Sequence, residues 1–267
     1  MCYGAAYDQH VRRLDLNADV GEGQAETDAA LLALVSSANV ACGLHAGDAH
    51  TMRATVRLAV RHGVAVGAHP GYDDREGFGR RPLPLTPIEL SDLLLFQLGA
   101  LDAIARPAGT ALHHVKPHGA LYNQAQIDAS LARAMIAAVR VFDPALPIFG
   151  RAGSAMAIAC GALAHPFIAE AFADRRYRAD GSLAPRSEPG SVLIESDDVA
   201  AQVRSLITHG EVLTADGTRV PVAFETLCLH GDTPGSPALA VRVRAELAAL
   251  GLTVCAPRSS GVDTLPV

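Results

Sequence analysis

Apolar positions along this chain follow two rhythms. Short runs read as strands: "LDLNAD" (14–19), "SANVAC" (37–42), "VAVGAH" (64–69), "LHHVK" (112–116), "LPIFG" (146–150), "FIAEAF" (167–172) and "TLCLHG" (226–231). Longer alanine- and leucine-rich segments between them carry the helical period. "DAHTMRATVRLAVRHG" (48–63) predicts a helix stopped by Gly63. "TPIELSDLLLFQLGALDAIAR" (86–106) predicts another, with Thr86 as N-cap, Pro87 in the first turn and Glu89 completing a capping box. Segments 128–142, 197–210 and 236–251 repeat the pattern. Strands alternating with helices imply parallel βαβ units. "EVLTADGTRVPVAFE" (211–225) breaks the rhythm, and its Asp216-Gly217 pair predicts a β-hairpin insertion. One domain over 1–267 is expected, with 1–11 as a poorly ordered extension.

The polar residues inside these strands constrain the fold further. Alternation puts Asp15, Asn17 and Asp19 on one strand face, opposite Leu14, Leu16 and Ala18. His114 and Lys116 share a face, as do Thr226, Cys228 and His230. Buried parallel strands are normally apolar on both sides, so polar faces need a common polar space. A closed parallel βα-barrel with helices outside supplies one.

Several strand ends carry histidine beside glycine or proline: His45 and Asp48 in "CGLHAGD", His69 in "HPG", His118 in "KPHG", His230 and Asp232 in "HGDTPG". Active sites of barrels and open α/β sheets lie at those C-terminal strand ends. Single histidines such as His10, His62 and His209 read instead as surface or helix-end residues. Asp15, Asn17 and Asp19 are expected either in a buried network at the barrel floor or in the site itself. Lys116 stands alone: the remainder of the 22 Lys+Arg residues are arginine. Pro117 keeps it extended. Lysine can lose its proton when desolvated, arginine cannot, so Lys116 is expected in a confined pocket as proton donor or charge stabiliser.

Composition narrows the classes. Hydrophobic content of 49% with 19% charged residues fits a globular chain, and a net charge of -6 argues against nucleic acid. The five cysteines are scattered without a C-x-x-C pair, which suggests reduced thiols and a cytoplasmic setting. No membrane span, signal peptide or Walker motif is visible.

The motifs "DLNADVGEG", "SANVACGLHAGD", "GAHPGYDDREGFGRR", "HHVKPHGALYN", "EAFADRRYRADGSLAPRSEPGSV" and "LHGDTPG" run in order from about Leu14 to Leu250 and resemble the LamB/YcsF family. The resemblance implies a seven-stranded βα-barrel of the glycoside hydrolase/deacetylase kind. It also implies ATP-dependent opening of the 5-oxoproline lactam to L-glutamate, with ATP as cosubstrate and separate B and C subunits as partners. Family members carry cysteine in the first motif where this chain has Ala18, which alternation turns away from Asp15, Asn17 and Asp19.

Lactam opening then assigns expectations to residues. Asp15, Asp19, His69, Lys116, His118 and His230 are the expected catalytic groups; Asn17, His45, Asp48, Asn123, Arg186 and Asp232 are the expected substrate-binding groups. The mixed Asp/His set also suits a divalent metal and hence a metal-dependent deacetylase or amidohydrolase. A non-catalytic lactam-binding subunit is the other alternative.

Overall fold

The structure, a computed structural model, describes residues 12–257. The expected extension at 1–11 lies outside the described residues. In chain order the strands are β1 (Arg12–Val20), β2 (Ser37–Ala41), β3 (Ala65–His69), β4 (Ile148–Gly150), β5 (Phe167–Phe172), β6 (Glu211–Leu213), β7 (Arg219–Pro221), β8 (Thr226–Leu229) and β9 (Leu252–Val254). The helices are α1 (Ala25–Leu32), α2 (Ala49–His62), α3 (Pro87–Ala105), α4 (Gly119–Ala125), α5 (Ala129–Phe142), α6 (Ala155–Ala162), α7 (Ser196–His209) and α8 (Ser236–Ala249).

The main sheet is parallel, in the order β3-β2-β1-β8-β5-β4, with β9 beside the first residues of β1. The expected strand "LHHVK" is reduced to one residue. Val115 makes parallel bridges to Ala68 of β3 and to Ile148 of β4. The ladder stops there because Pro117 has no N–H to offer. Backbone bonds from Lys116 N to Ala68 O and from Phe149 N to Val115 O, both 2.9 Å, fix the segment between its neighbours. The antiparallel pair β6 and β7 forms where the Asp216-Gly217 turn predicts it, with Gly217 at φ 84.

Helix ends follow the sequence signals. Thr86 and Glu89 make the reciprocal capping box of α3, and Gly63 ends α2 in the left-handed conformation. Leu14, Leu16, Ala18 and Val20 of β1 face the apolar layer under the helices and are buried. Fully burying one leucine contributes about 1.5–3 kcal/mol, so this layer anchors the strand that carries the polar residues. Ala18 belongs to it, away from the polar face.

The opposite face of β1 is a polar column held by neighbouring strands. Asp15 accepts from Ser36 and Ser37 Oγ at 2.7 Å and from Thr226 Oγ1 at 2.5 Å. One layer on, Asn17 donates to Glu170 and Thr226 and accepts from Asn39. Asn39 also donates to Asp19 at 2.8 Å, and His114, stacked on Phe149, lies 2.7 Å from Asn39 Oδ1. Each buried polar group of the column is thus paired, which removes the penalty of burying it alone.

Candidate active site

Above that column opens a cavity of about 560 Å³, within the range of small-molecule sites. Asp19, His69, Lys116, His118 and His230 line it, with Asn123, Arg186 and Asp232 toward the mouth. Asp15 and Asn17 do not. They sit nearer the start of β1, in the supporting network, so the floor alternative describes them and they reach the cavity only through the residues they hold. Asp48 also stands apart. It is exposed, and its carboxylate accepts from Thr51 N at 2.7 Å as the N-cap of α2. His45 is buried behind the cavity wall, its ring stacked on His118 at 3.8 Å.

Lys116 occupies the floor. Its Nζ lies 2.9 Å from Asp19 Oδ1, 3.0 Å from Glu170 Oε1, 2.9 Å from Cys228 Sγ and 3.4 Å from Asn17 Oδ1. Burial alone would favour the neutral amine, but the two carboxylates outweigh it and hold the lysine well above its ordinary pKa. Burial opposes an ionised Asp19 in turn; the neighbouring His69 and the Lys116 ammonium overcome this and keep the carboxyl well below its usual range. Burial pushes Glu170 up, with Lys116 pulling it back. The floor therefore presents a buried ammonium held among carboxylates.

On one side of Lys116, His230 Nδ1 lies 2.9 Å from Asp174 Oδ1, and Thr233 Oγ1 holds the same carboxylate at 2.6 Å. Burial works against an ionised Asp174, but the neighbouring His230 and these hydrogen bonds keep its carboxyl low. A carboxylate on Nδ1 fixes the tautomer and leaves Nε2 as the basic nitrogen. On the other side three rings meet one carboxylate. Glu22 Oε1 is 3.4 Å from His45 Nε2, 3.4 Å from His118 Nδ1 and 3.9 Å from His69 Nε2. Burial lowers His45 and His118 to about 4, holds His69 well below its ordinary value too, and raises Glu22 to about 7. Two groups have the spacing of metal ligands: Glu22 with these three histidines, and Asp19 with Cys228 and His230.

Gly79 makes the histidine stack possible. It has φ +64, and a Cβ there would lie 2.8 Å from His45 Cβ and 2.9 Å from His118 Cδ2.

The mouth is cationic. Arg80, Arg151, Arg175 and Arg186 line it, Arg186 pairing with Asp232 at 3.1 Å and Arg80 with the same carboxylate. Arg175 is buried, and its Nε has no protein partner. Burial lowers Arg175 to about 10.

Glu22, Glu170, Asp174 and the mouth arginines other than Arg186 are the site groups that pattern reading missed. Glu170 had a signal: it is the lone charge in the apolar strand "FIAEAF". Glu22 sits between two glycines just past a strand end, a pattern shared with ordinary turns.

Among the described residues no helix is long and apolar enough to cross a membrane, and Cys42, Cys160, Cys228 and Cys255 are free thiols.

Comparison with known proteins finds relatives of nearly the whole chain. The profile of the LamB/YcsF family matches residues 14–261. The chain is 52% identical over 252 residues to the 5-oxoprolinase A subunit of Methylococcus capsulatus, covering 92% of this chain and 96% of that one. It is 49% identical over 251 residues to the 5-oxoprolinase A subunit of Symbiobacterium thermophilum, with the same coverage. The crystal structure of a lactam utilization protein from Thermus thermophilus superposes with a TM-score of 0.85 at 43% identity, covering 91% of this chain and 99% of that one. A profile match over nearly the whole chain, two relatives near half identity and a solved structure of the same fold agree: this chain belongs to the LamB/YcsF family.

Proposed function

We propose that this chain opens the lactam ring of 5-oxoproline to give L-glutamate, as the A component of an ATP-dependent 5-oxoprolinase acting with B and C subunits in the cytoplasm. The observation that carries the reading is the polarity of the cavity: one fixed ammonium at its floor and guanidinium groups at its mouth. 5-Oxoproline has one carboxylate and one amide carbonyl. Arg186, helped by Arg175 and Asn123, receives the carboxylate. Lys116 then neutralises the negative charge that develops on the carbonyl oxygen, or the oxygen of a phosphorylated imidate. A positioned donor of this kind contributes about 10²–10³ in rate.

His230, oriented by Asp174, is the group suited to activate water. Asp19 holds Lys116 in place and keeps it charged. His69 and His118 form the remaining wall, with Asn17, Asp15 and Glu170 fixing the floor beneath. The chain has no Walker motif, in keeping with nucleotide work shared with the partner subunits. We also read the Val115 bridges as closing the sheet into a seven-membered barrel, and the pair β6 and β7 as an insertion upon it.

The test is glutamate formation from 5-oxoproline and ATP, measured for this chain alone and with its B and C subunits. The reading expects little product alone and ATP-dependent glutamate from the complete set. Robust ATP-dependent turnover by the chain alone would contradict the division of labour; none from the complete set would contradict the substrate.

A further inference from the structure

The three histidines around Glu22 present an electrostatic problem that protein atoms alone do not solve. His69 Nδ1 lies 2.7 Å from the Lys116 carbonyl oxygen, and His118 Nε2 lies 2.8 Å from the Phe78 carbonyl oxygen. A carbonyl only accepts, so each of these nitrogens carries the hydrogen. In the neutral rings the other nitrogens, His69 Nε2 and His118 Nδ1, then bear lone pairs. Those two nitrogens are 3.0 Å apart. Two lone pairs at that distance repel unless a cation lies against both. Glu22 brings a carboxylate to the same point.

We propose that Glu22, His45, His69 and His118 together hold one divalent transition-metal ion beside the floor of the cavity. Four bonds of about 2.0–2.2 Å in a tetrahedron place the donor atoms about 3.3–3.6 Å apart. The separations here are 3.0, 3.4, 3.4 and 3.9 Å, and every donor lies within 4.8 Å of the others. Metal-bound histidines usually commit their outer N–H to a carbonyl or carboxylate, as His69 and His118 do. His45 supplies an independent observation. Its Nδ1 is buried with no hydrogen-bond partner, while its Nε2 faces Glu22. Nε2 is thus a third imidazole nitrogen directed at the same carboxylate, and a metal bond there leaves the ring hydrogen on Nδ1.

The four donors come from successive strand ends. Glu22 follows β1, His45 follows β2, His69 ends β3 and His118 follows the Val115 bridge. They are held by the sheet and not by one mobile loop. Three imidazoles and one carboxylate favour zinc, iron(II), cobalt(II) or manganese(II) over calcium and magnesium. Glu22, His69 and His118 line the cavity while His45 lies behind them, so the ion borders the substrate space. The site goes beyond the lactam-opening reading and stands or falls without it.

The experiment is metal binding by the purified full chain after treatment with a chelator, using cobalt(II) and zinc(II) as probes. Wild type is expected to bind one equivalent, with the visible d–d absorption of low-coordinate cobalt and a raised melting temperature. Glu22→Gln and His118→Ala are each expected to weaken binding by more than about 100-fold, beyond the 10–100-fold cost of losing an outer-shell partner. Melting of both variants without metal checks that they fold, and the near-isosteric Glu22→Gln serves if His118→Ala does not. His62→Ala, on the exposed end of α2, should bind as wild type does. If wild type binds no stoichiometric metal, the cation between His69 and His118 is a proton and the proposal is wrong. Binding that survives both variants, or that Cys228→Ser alone abolishes, would place the metal elsewhere and overturn it equally.

Discussion

Replacing Lys116 by methionine removes one ammonium and leaves two carboxylates, Asp19 and Glu170, buried without their counter-ion. Breaking a buried pair from one side costs about 3–5 kcal/mol, because the abandoned charge cannot return to water. For a chain of this size each kcal/mol moves the melting temperature by about 2–4 °C, so Lys116→Met should melt about 6–20 °C below wild type. The loss depends on pH in a defined direction. Asp19 is depressed in the wild type with Lys116 contributing, so its stabilisation is present above the unfolded carboxylate pKa and is lost as pH falls through the folded one. Without Lys116 the folded pKa values of Asp19 and Glu170 rise. The deficit should therefore be largest near pH 8 and shrink as the pH approaches about 4, where both carboxyls take up protons. Glu170→Gln added to Lys116→Met should return part of the loss, with a coupling of about 0.5–3 kcal/mol between the two sites. Thermal and denaturant melts of the four proteins in this cycle, at several pH values, are the assay. A Lys116→Met chain melting with the wild type, or a deficit independent of pH, or strictly additive variants would refute the picture of one ammonium shared by two buried carboxylates.

Lys116→Arg should lower glutamate formation by the complete complex nearly as much as Lys116→Ala, since a guanidinium does not fit among groups 2.9–3.0 Å from Nζ; near-wild-type turnover would show that charge alone suffices. Arg186→Ala should raise KM for 5-oxoproline about tenfold or more, the equivalent of about 1.4 kcal/mol, with kcat less affected; an unchanged KM would remove it from substrate binding. Burial raises Asp15 to about 6, so its stabilising contribution is full below about 3.9 and lost as pH rises through the folded pKa, roughly 3 kcal/mol in all. Asp15→Asn has no proton to lose, and its stability gap to wild type should narrow from acid to neutral pH; a constant gap in denaturant melts would contradict this. Asp48→Ala should cost about 0.5–2 kcal/mol as a lost helix cap and leave glutamate formation intact, which an activity loss at full folding would disprove.

Much of the site was legible because strand alternation is a two-state code. Asp15, Asn17 and Asp19 do share a face, and Ala18 does turn away from it. Alternation says nothing about depth along the strand, and so it grouped Asp15 at the base with Asp19 at the cavity. Asp48 illustrates another limit: an aspartate before a helix serves as a cap or a ligand with the same sequence signature. Glu22 was hidden because a residue between two glycines reads as a turn, and only the fold brings it to His45, His69 and His118. The single-residue strand at Val115 was read as a full one, since hydrophobic pattern cannot count ladder hydrogen bonds. The capping box of α3 and the turn at Gly217 were readable because their chemistry is wholly local.

Lys116 acts through two parts that mutagenesis does not treat alike. Its ammonium binds Asp19 and Glu170, while its own carbonyl oxygen receives the Nδ1 hydrogen of His69. Every side-chain substitution at position 116 keeps that carbonyl. A scan of position 116 therefore reports on the side chain alone and is blind to the tautomer of His69. The change that reaches the carbonyl is one at Pro117, whose ring restricts the backbone of the residue before it. A fault at 117 would be felt at His69, 48 positions away in the chain, with every side chain of the cavity but the proline still in place.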